Sequence, residues 1–262
     1  MTDIGLVAGV EDAGAGSLWV GTVDALLRLS TTSVRLDTQR FHLGGARLRA
    51  LHADPQGTLW VATDRGLSRL VRDQLVPLAI PRGDEMPRLV DTIASDAKGG
   101  IWVFDGERGL LHWSEGQFDR PELPDSLARA RVEATLTDST GRVWIAFSTG
   151  DVATIVGHEF RLYGKADGLD GGVYQAIFED AEHVVWLGAT NGLTRYDGRF
   201  ATTRSDHGFP VANVTAIVDD GRGTLWVGSG AGILQIRRDE WQRLLANPRR
   251  QAQFRLYDRA DG

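Results

Sequence analysis

Asp54-Pro55-Gln56-Gly57-Thr58-Leu59-Trp60-Val61-Ala62-Thr63-Asp64-Arg65-Gly66-Leu67-Ser68-Arg69 holds the plan of the whole chain. Asp and Gly in its first four residues are what a tight turn requires. Leu59-Trp60-Val61 is a run of residues that favour a pleated, half-buried strand. Gly66 marks a second turn six residues after the tryptophan, and Leu67-Ser68-Arg69 opens another strand. The stretch predicts a β-hairpin of two short strands.

Working outward, the same unit recurs. Trp19, Trp60, Trp102, Trp144, Trp186 and Trp226 are spaced by 41, 42, 42, 42 and 40 residues, with flanks GSLWVGT, GTLWVAT, GGIWVFD, GRVWIAF, HVVWLGA and GTLWVGS. Each copy is preceded by an apolar stretch such as Val214-Thr215-Ala216-Ile217, then an Asp-containing turn such as Asp138-Ser139-Thr140-Gly141 or Asp220-Gly221-Arg222-Gly223. Gly109, Gly150, Gly192 and Gly232 repeat the second turn. Leu193-Thr194-Arg195-Tyr196 and Arg199-Phe200-Ala201-Thr202 exemplify the third and fourth strands. Four short strands per repeat of about 40 residues are the signature of a propeller blade.

The predicted fold is therefore all-β: a β-propeller of four-stranded antiparallel blades, with six blades visible, alone or as part of a seven-bladed or larger propeller. The single domain spans 1–262, with repeats at about 6–43, 44–86, 87–128, 129–169, 170–210 and 211–262. One tryptophan at one position per blade predicts six structural residues packed between neighbouring sheets. Trp113 falls near the end of a third strand. Trp241 lies in Asp239-Glu240-Trp241-Gln242-Arg243-Leu244-Leu245, which reads as a helical insertion over about 238–247 with Asp239 as candidate N-cap. Phe254-Arg255-Leu256-Tyr257 then reads as the delayed fourth strand of the sixth repeat. Phe160-Arg161-Leu162-Tyr163-Gly164-Lys165-Ala166-Asp167-Gly168 matches Phe254 to Gly262 closely. The first repeat starts at its first strand near Leu6 and the last finishes its fourth near Tyr257, a register that points to a longer polypeptide.

Composition sets bounds on function. The 262 residues include 32 glycines and 8 tryptophans, no cysteine, and a formal net charge of -6. Without cysteine there are no disulfides or thiolate metal sites. An acidic chain with no lysine- or arginine-rich block does not fit nucleic acid. The N-terminal residues show no signal-peptide pattern, and no apolar run reaches membrane-spanning length, so no direct membrane contact is expected. The histidines His42, His52, His112, His158, His183 and His207 are scattered without metal-ligand spacing, and no calcium-loop or nucleotide-loop motif occurs. No metal, cofactor or catalytic residue is expected.

The pattern Asp-x-x-Gly-x-[LIV]-Trp-[LVI]-[GA]-Thr-x-x-Gly-[LI] resembles the two-component regulator propeller repeat. Its best copies are Asp54 to Arg69, Asp180 to Tyr196 and Asp220 to Ile236, and the Asp167-Gly168-Leu169 element fits as well. The resemblance covers residues 6 to 262. It departs from the pattern at Gly150-Asp151, at His183 where glycine is expected, and at the extra residue in Asp12-Ala13-Gly14-Ala15-Gly16. It implies an extracytoplasmic, periplasmic sensor propeller of a bacterial signalling protein, with further blades, a β-sandwich, a membrane helix and an output module following. It carries over no catalytic residue.

Two enzymatic propeller classes carry comparable motifs. The turns at Ser95 to Trp102 and Thr137 to Trp144 resemble sialidase Asp-boxes, but these are turn elements, and the arginine motif of sialidases is absent. A streptogramin-lyase-like propeller would carry Trp-Phe-Thr, whereas this chain has Trp-Val, Trp-Ile and Trp-Leu.

In a propeller, the loops leading into each blade and the turns between second and third strands share one face, and that face is the expected ligand surface. Residues that break the repeat there are Arg88, Asp91, Arg131, Glu133, Tyr174, Gln175 and Asn213 in the lead-in segments. In the turns they are Asp64, Arg65, Asp105, Arg108 and Asn191. Tyr174 with nearby arginines suggests stacking on a sugar or holding an acidic group. The expected partner is a small molecule, with carbohydrate as one class, or a protein, and the intact sensor is expected to dimerise. A plain protein-interaction scaffold is the alternative function.

Overall fold

The computed structural model describes residues 7–14, 17–30, 37–78, 87, 89–127, 130–157, 159–247, 250 and 252–258. Arg88, His158, Leu6 and the match across 259–262 lie outside them. Two compact units, Met1–Pro124 and Asp125–Gly262, make up the chain.

The first unit carries three four-stranded antiparallel blades, each with its strands in sequence order. Blade 1 comprises Val7–Gly14, Ser17–Thr22, Ala25–Ser30 and Asp37–His42. Blade 2 comprises Leu48–Ala53, Leu59–Thr63, Gly66–Val71 and Gln74–Pro77. Blade 3 comprises Val90–Ser95, Ile101–Asp105, Gly109–Ser114 and Gln117–Asp119. In the second unit, blade 4 is Val132–Thr137, Val143–Phe147, Val152–Val156 and Glu159–Tyr163. Blade 5 is Tyr174–Glu179, Val185–Ala189, Gly192–Tyr196 and Phe200–Arg204. Blade 6 is Val214–Asp219, Thr224–Ser229, Gly232–Arg237 and Phe254–Tyr257. The fold is a six-bladed β-propeller. Within each unit the first strands of successive blades lie side by side.

The tryptophan ruler has a direct physical cause. Asp138 closes the turn between first and second strands by accepting the N–H groups of Thr140 and Arg142 on Oδ1, both at 3.0 Å. Its Oδ2 takes the indole N–H of Trp144 at 2.9 Å. Asp54 with Trp60 (2.9 Å) and Asp180 with Trp186 (2.8 Å) repeat the arrangement. One carboxylate thus holds the turn and pairs the only polar atom of a ring that is otherwise buried, which removes the cost of an unsatisfied donor. The ring then fills the gap to the next sheet. Trp60 packs with Val90, Ile93 and Val103 of blade 3. Trp144 packs with Tyr174, Val185 and Leu187 of blade 5. Trp186 packs with Val214, Leu225 and Val227 of blade 6. Trp226 is only half-buried, stacked on Tyr257 with centroids 5.8 Å apart.

The insertion is a helix, α1 (Arg238–Ala246), and it corrects one expectation. Arg237 is the N-cap residue, with no side-chain capping bond, so Asp239 lies in the first turn. The helix is fixed by burial. Trp241 is fully buried edge-on to Trp186 at 4.8 Å, and Leu244 joins the same cluster. Arg238 pairs with Asp180, Glu182 and Asp219. The buried Glu240 accepts the Gln253 N–H at 2.9 Å, guiding the chain back into the fourth strand at Phe254.

A β-bulge falls at the same place in every first strand. The pairing register slips between Leu48 and Ala50, Val132 and Ala134, Tyr174 and Ala176, and Val214 and Ala216, leaving Arg49, Glu133, Gln175 and Thr215 as extra residues. The slip at Asp105, whose partner is Val90 while Phe104 faces Thr92, leaves Asp91 in that position, and Ala8 has it in blade 1.

Candidate functional site

In blades 2 to 5 the residue before the first strand is clasped to the turn between the second and third strands of its own blade. Its carbonyl accepts a turn N–H: Asp64 to Arg47 (3.0 Å), Gly106 to Leu89 (2.9 Å), Ser148 to Arg131 (2.8 Å) and Thr190 to Val173 (2.9 Å). Its own N–H goes back to a turn side chain: Arg47 to Asp64 Oδ1 (2.9 Å), Leu89 to Asp105 Oδ2 (3.1 Å), Arg131 to Ser148 Oγ (3.0 Å) and Val173 to Thr190 Oγ1 (3.2 Å). In these four blades both sets of loops therefore meet at one end of the blade.

The clasp sorts the sequence candidates. Asp64 is a clasp residue. Arg65 binds the lead-in loop, Nη1 donating to the Gly44 carbonyl at 2.8 Å. Asp105 is buried, and its Oδ1 accepts the N–H groups of Glu107 and Arg108 at 3.0 and 3.1 Å. Asn191 uses its backbone, donating to Gly171 (2.9 Å) and accepting from Ser205 (2.8 Å). Asn213 has a left-handed φ of 52° and donates its N–H to Thr190 at 2.9 Å. In the first unit Asp91 is ion-paired with Arg49 at 2.9 Å. In the second, Arg131 reaches Glu133 at 3.5 Å, and Gln175 is exposed.

Tyr174 is a correction. It is fully buried in the blade 4–5 core, with its hydroxyl between the Gly171 N–H and Thr194 Oγ1, each at 3.1 Å. Burial pushes the hydroxyl pKa up. No face of the ring is open to a sugar. Beside it, Asp170 takes Arg204 at 2.9 Å and Lys165 at 3.4 Å, and the Arg204 hydrogen bond holds its carboxyl below the usual range.

Sequence reasoning missed Arg49 and Thr215. Both occupy the bulge position shared by Asp91, Glu133 and Gln175, and the repeat spacing from each tryptophan is the signal that finds them.

One cluster elsewhere has hydrolase-like residue types. Ser139 Oγ lies 2.6 Å from Glu179 Oε1 and 2.8 Å from His183 Nδ1, and Glu179 Oε1 is 3.2 Å from the same Nδ1. A catalytic relay needs hydroxyl and carboxylate on opposite ring nitrogens. Here both address one nitrogen, so the cluster fastens the blade 4 turn to blade 5. Among the described residues no group of three or more His, Asp or Glu is arranged to hold a metal ion, and no helix is long and apolar enough to cross a membrane.

These blades and turns define a six-bladed β-propeller. Residues 208–231 match the two component regulator propeller family. Among solved structures, the extracellular domain of a protein described as the hybrid two component system BT3049 of B. thetaiotaomicron superposes with a TM-score of 0.74 at 19% identity, covering 99% of this chain and 35% of that one. The extracellular domain of BT4673 from the same organism, described as a one component system, gives 0.71 at 16% identity over 98% and 36%. Virginiamycin B lyase from Staphylococcus aureus gives 0.70 at 12% identity over 96% and 84%. The chain thus spans about a third of the length of those two extracellular domains. No curated protein matches it.

Proposed function

We propose that this chain is the non-catalytic, ligand-binding sensor propeller of a bacterial two-component-type signalling protein, working outside the cytoplasm. The two component regulator propeller match at residues 208–231 carries the reading. The likeness to two extracellular domains of regulatory systems agrees with it. The clasped end of the blades supplies a suitable surface: loops of varied sequence tied to rigid strands, as binding sites on scaffolds generally are. A ligand there acts by changing packing against a neighbouring module or a second copy, since closely packed blades resist deformation.

The test is a thermal-shift and calorimetry screen of this chain against saccharides, carboxylates, amines and short peptides. Saturable binding of a molecule recovered chemically unchanged supports the reading. Multiple-turnover conversion of the bound molecule refutes it.

A further inference from the structure

We infer that the bulge residues of the second unit, Glu133, Gln175 and Thr215, are the positions that read the ligand, and that they select an uncharged small molecule rich in hydrogen-bond donors. The inference rests on the binding reading above and adds the residues and the ligand chemistry.

The repeats keep their fold constant and vary their chemistry here. The residue before the bulge is apolar or aromatic in every blade of this unit: Val132, Tyr174 and Val214, the last two buried. The bulge residue is polar each time and different each time: a carboxylate, a carboxamide and a hydroxyl. A bulge needed only for curvature has no use for such variety. Bulges leave their extra residue out of the ladder and re-aim its side chain, and they concentrate beside functional sites.

The setting is rigid. In blades 4 and 5 the residue two positions before the bulge, Arg131 or Val173, has both its N–H and its C=O bound to the clasp. Asn213, at the corresponding place in blade 6, donates its N–H to Thr190 of blade 5. The first strands of blades 4, 5 and 6 are consecutive neighbours, so the three side chains form one row. Gln175 and Thr215 are exposed, and the Glu133 side chain is 23% exposed.

The row specifies the ligand by its valences. A carboxylate accepts only, while a carboxamide and a hydroxyl both accept and donate. Arg131, 3.5 Å from Glu133, offsets the single negative charge. Such a row suits adjacent hydroxyl or amide groups. The one charged side chain of the three is the carboxylate of Glu133, which repels a carboxylate or phosphate. The first unit differs, because Arg49 and Asp91 already satisfy each other at 2.9 Å.

The experiment is amide NMR of the full chain titrated with four probes: sorbitol, N-methylacetamide, citrate and putrescine. The expected result is that sorbitol or N-methylacetamide shifts the amides around 133, 175 and 215 saturably and citrate does not. Gln175→Ala and Thr215→Ala should each weaken that binding about 5-fold, the equivalent of one hydrogen bond. Both variants should melt with the parent protein, which a purely structural bulge residue would not guarantee. Binding that maps elsewhere, or a response to citrate or putrescine alone, overturns the inference and leaves the sensor reading standing. No response to any probe counts against both.

Discussion

The carboxylate of Asp96 is held by His112 Nε2 at 2.8 Å, where the equivalent carboxylates of blades 2, 4 and 5 take an indole N–H. In blade 3 the His112 ring lies flat on Trp102, centroids 4.2 Å apart, and the Trp102 indole nitrogen is buried without a partner. Burial alone would raise the Asp96 pKa. Bonds from His112 and from the Gly100 and Lys98 N–H groups outweigh it and hold the carboxyl below its ordinary value of 3.8. A depressed carboxylate stabilises the fold above its unfolded pKa and loses that stabilisation as pH falls through the folded one. Asp96→Ala should therefore cost about 1–3 kcal/mol at pH 7. The gap from the parent should narrow as pH drops below the carboxylate range. Urea midpoints at pH 7 and at the lowest pH where both proteins fold test this, and an unchanged gap would count against it.

His52 acts in the same direction over a higher stretch of the pH axis. Burial lowers its pKa from 6.5 to about 4, with Asp54 opposing, and its Nε2 lies 2.8 Å from Ser95 Oγ in the neighbouring blade. A histidine whose folded pKa is depressed is held neutral. Its contribution is complete above pH 6.5 and is lost as pH falls from 6.5 towards 4, by about 3 kcal/mol at most. His52→Gln should flatten the stability curve between pH 6.5 and 4. A variant curve as steep as the parent's would show that another group carries the dependence.

The repeated tryptophans should not be equivalent. Trp144 is fully buried against blade 5, while Trp226 is half-buried. Trp144→Ala should cost about 3–5 kcal/mol, the usual price of emptying an aromatic site in a core. Trp226→Ala should cost distinctly less, since less of its surface leaves water on folding. Denaturant unfolding of the two variants compares them, and equal penalties would mean Trp226 has a partner in solution.

Gly192 is a turn glycine with no room for a side chain. Its φ is 150°, and a Cβ there would sit 2.1 Å from the Thr203 carbonyl oxygen. The obstruction is backbone, so it cannot rotate away. Gly192→Ala should unfold blade 5 or cost more than about 3 kcal/mol, read as loss of the folded signal in circular dichroism. Gly198→Ala, with nothing within 4 Å of its Cβ, is the control and should cost only its left-handed φ, about 1 kcal/mol.

Much of this fold was legible because blades 2, 4 and 5 repeat the same local arrangement. Asp54, Asp138 and Asp180 stand six residues before their tryptophans, so turn, strand and indole bond all lie within one readable segment. The α1 insertion showed because Phe254-Arg255-Leu256-Tyr257 repeats Phe160-Arg161-Leu162-Tyr163, down to Arg161 over Tyr163 at 4.7 Å and Arg255 over Tyr257 at 4.5 Å. Tyr174 misled because its partner Thr194 is 20 residues away on a different strand; beside Gly171 and Gly172 it reads as a loop aromatic. The bulges were invisible because an extra residue in one strand shows only against the register of its partner. Asp91, Glu133 and Gln175 drew notice as breaks in the repeat, whereas Arg49 and Thr215 did not.

The most direct measurement is transcript profiling in the source organism of three strains: wild type, a deletion of the gene, and a chromosomal Glu133→Ala, Gln175→Ala, Thr215→Ala variant, with protein levels checked. A sensor that reads its ligand at the clasped end predicts that the triple variant reproduces the deletion profile at normal protein abundance. A wild-type profile from the variant would contradict the account, because the blades would then be signalling without the surface assigned to them.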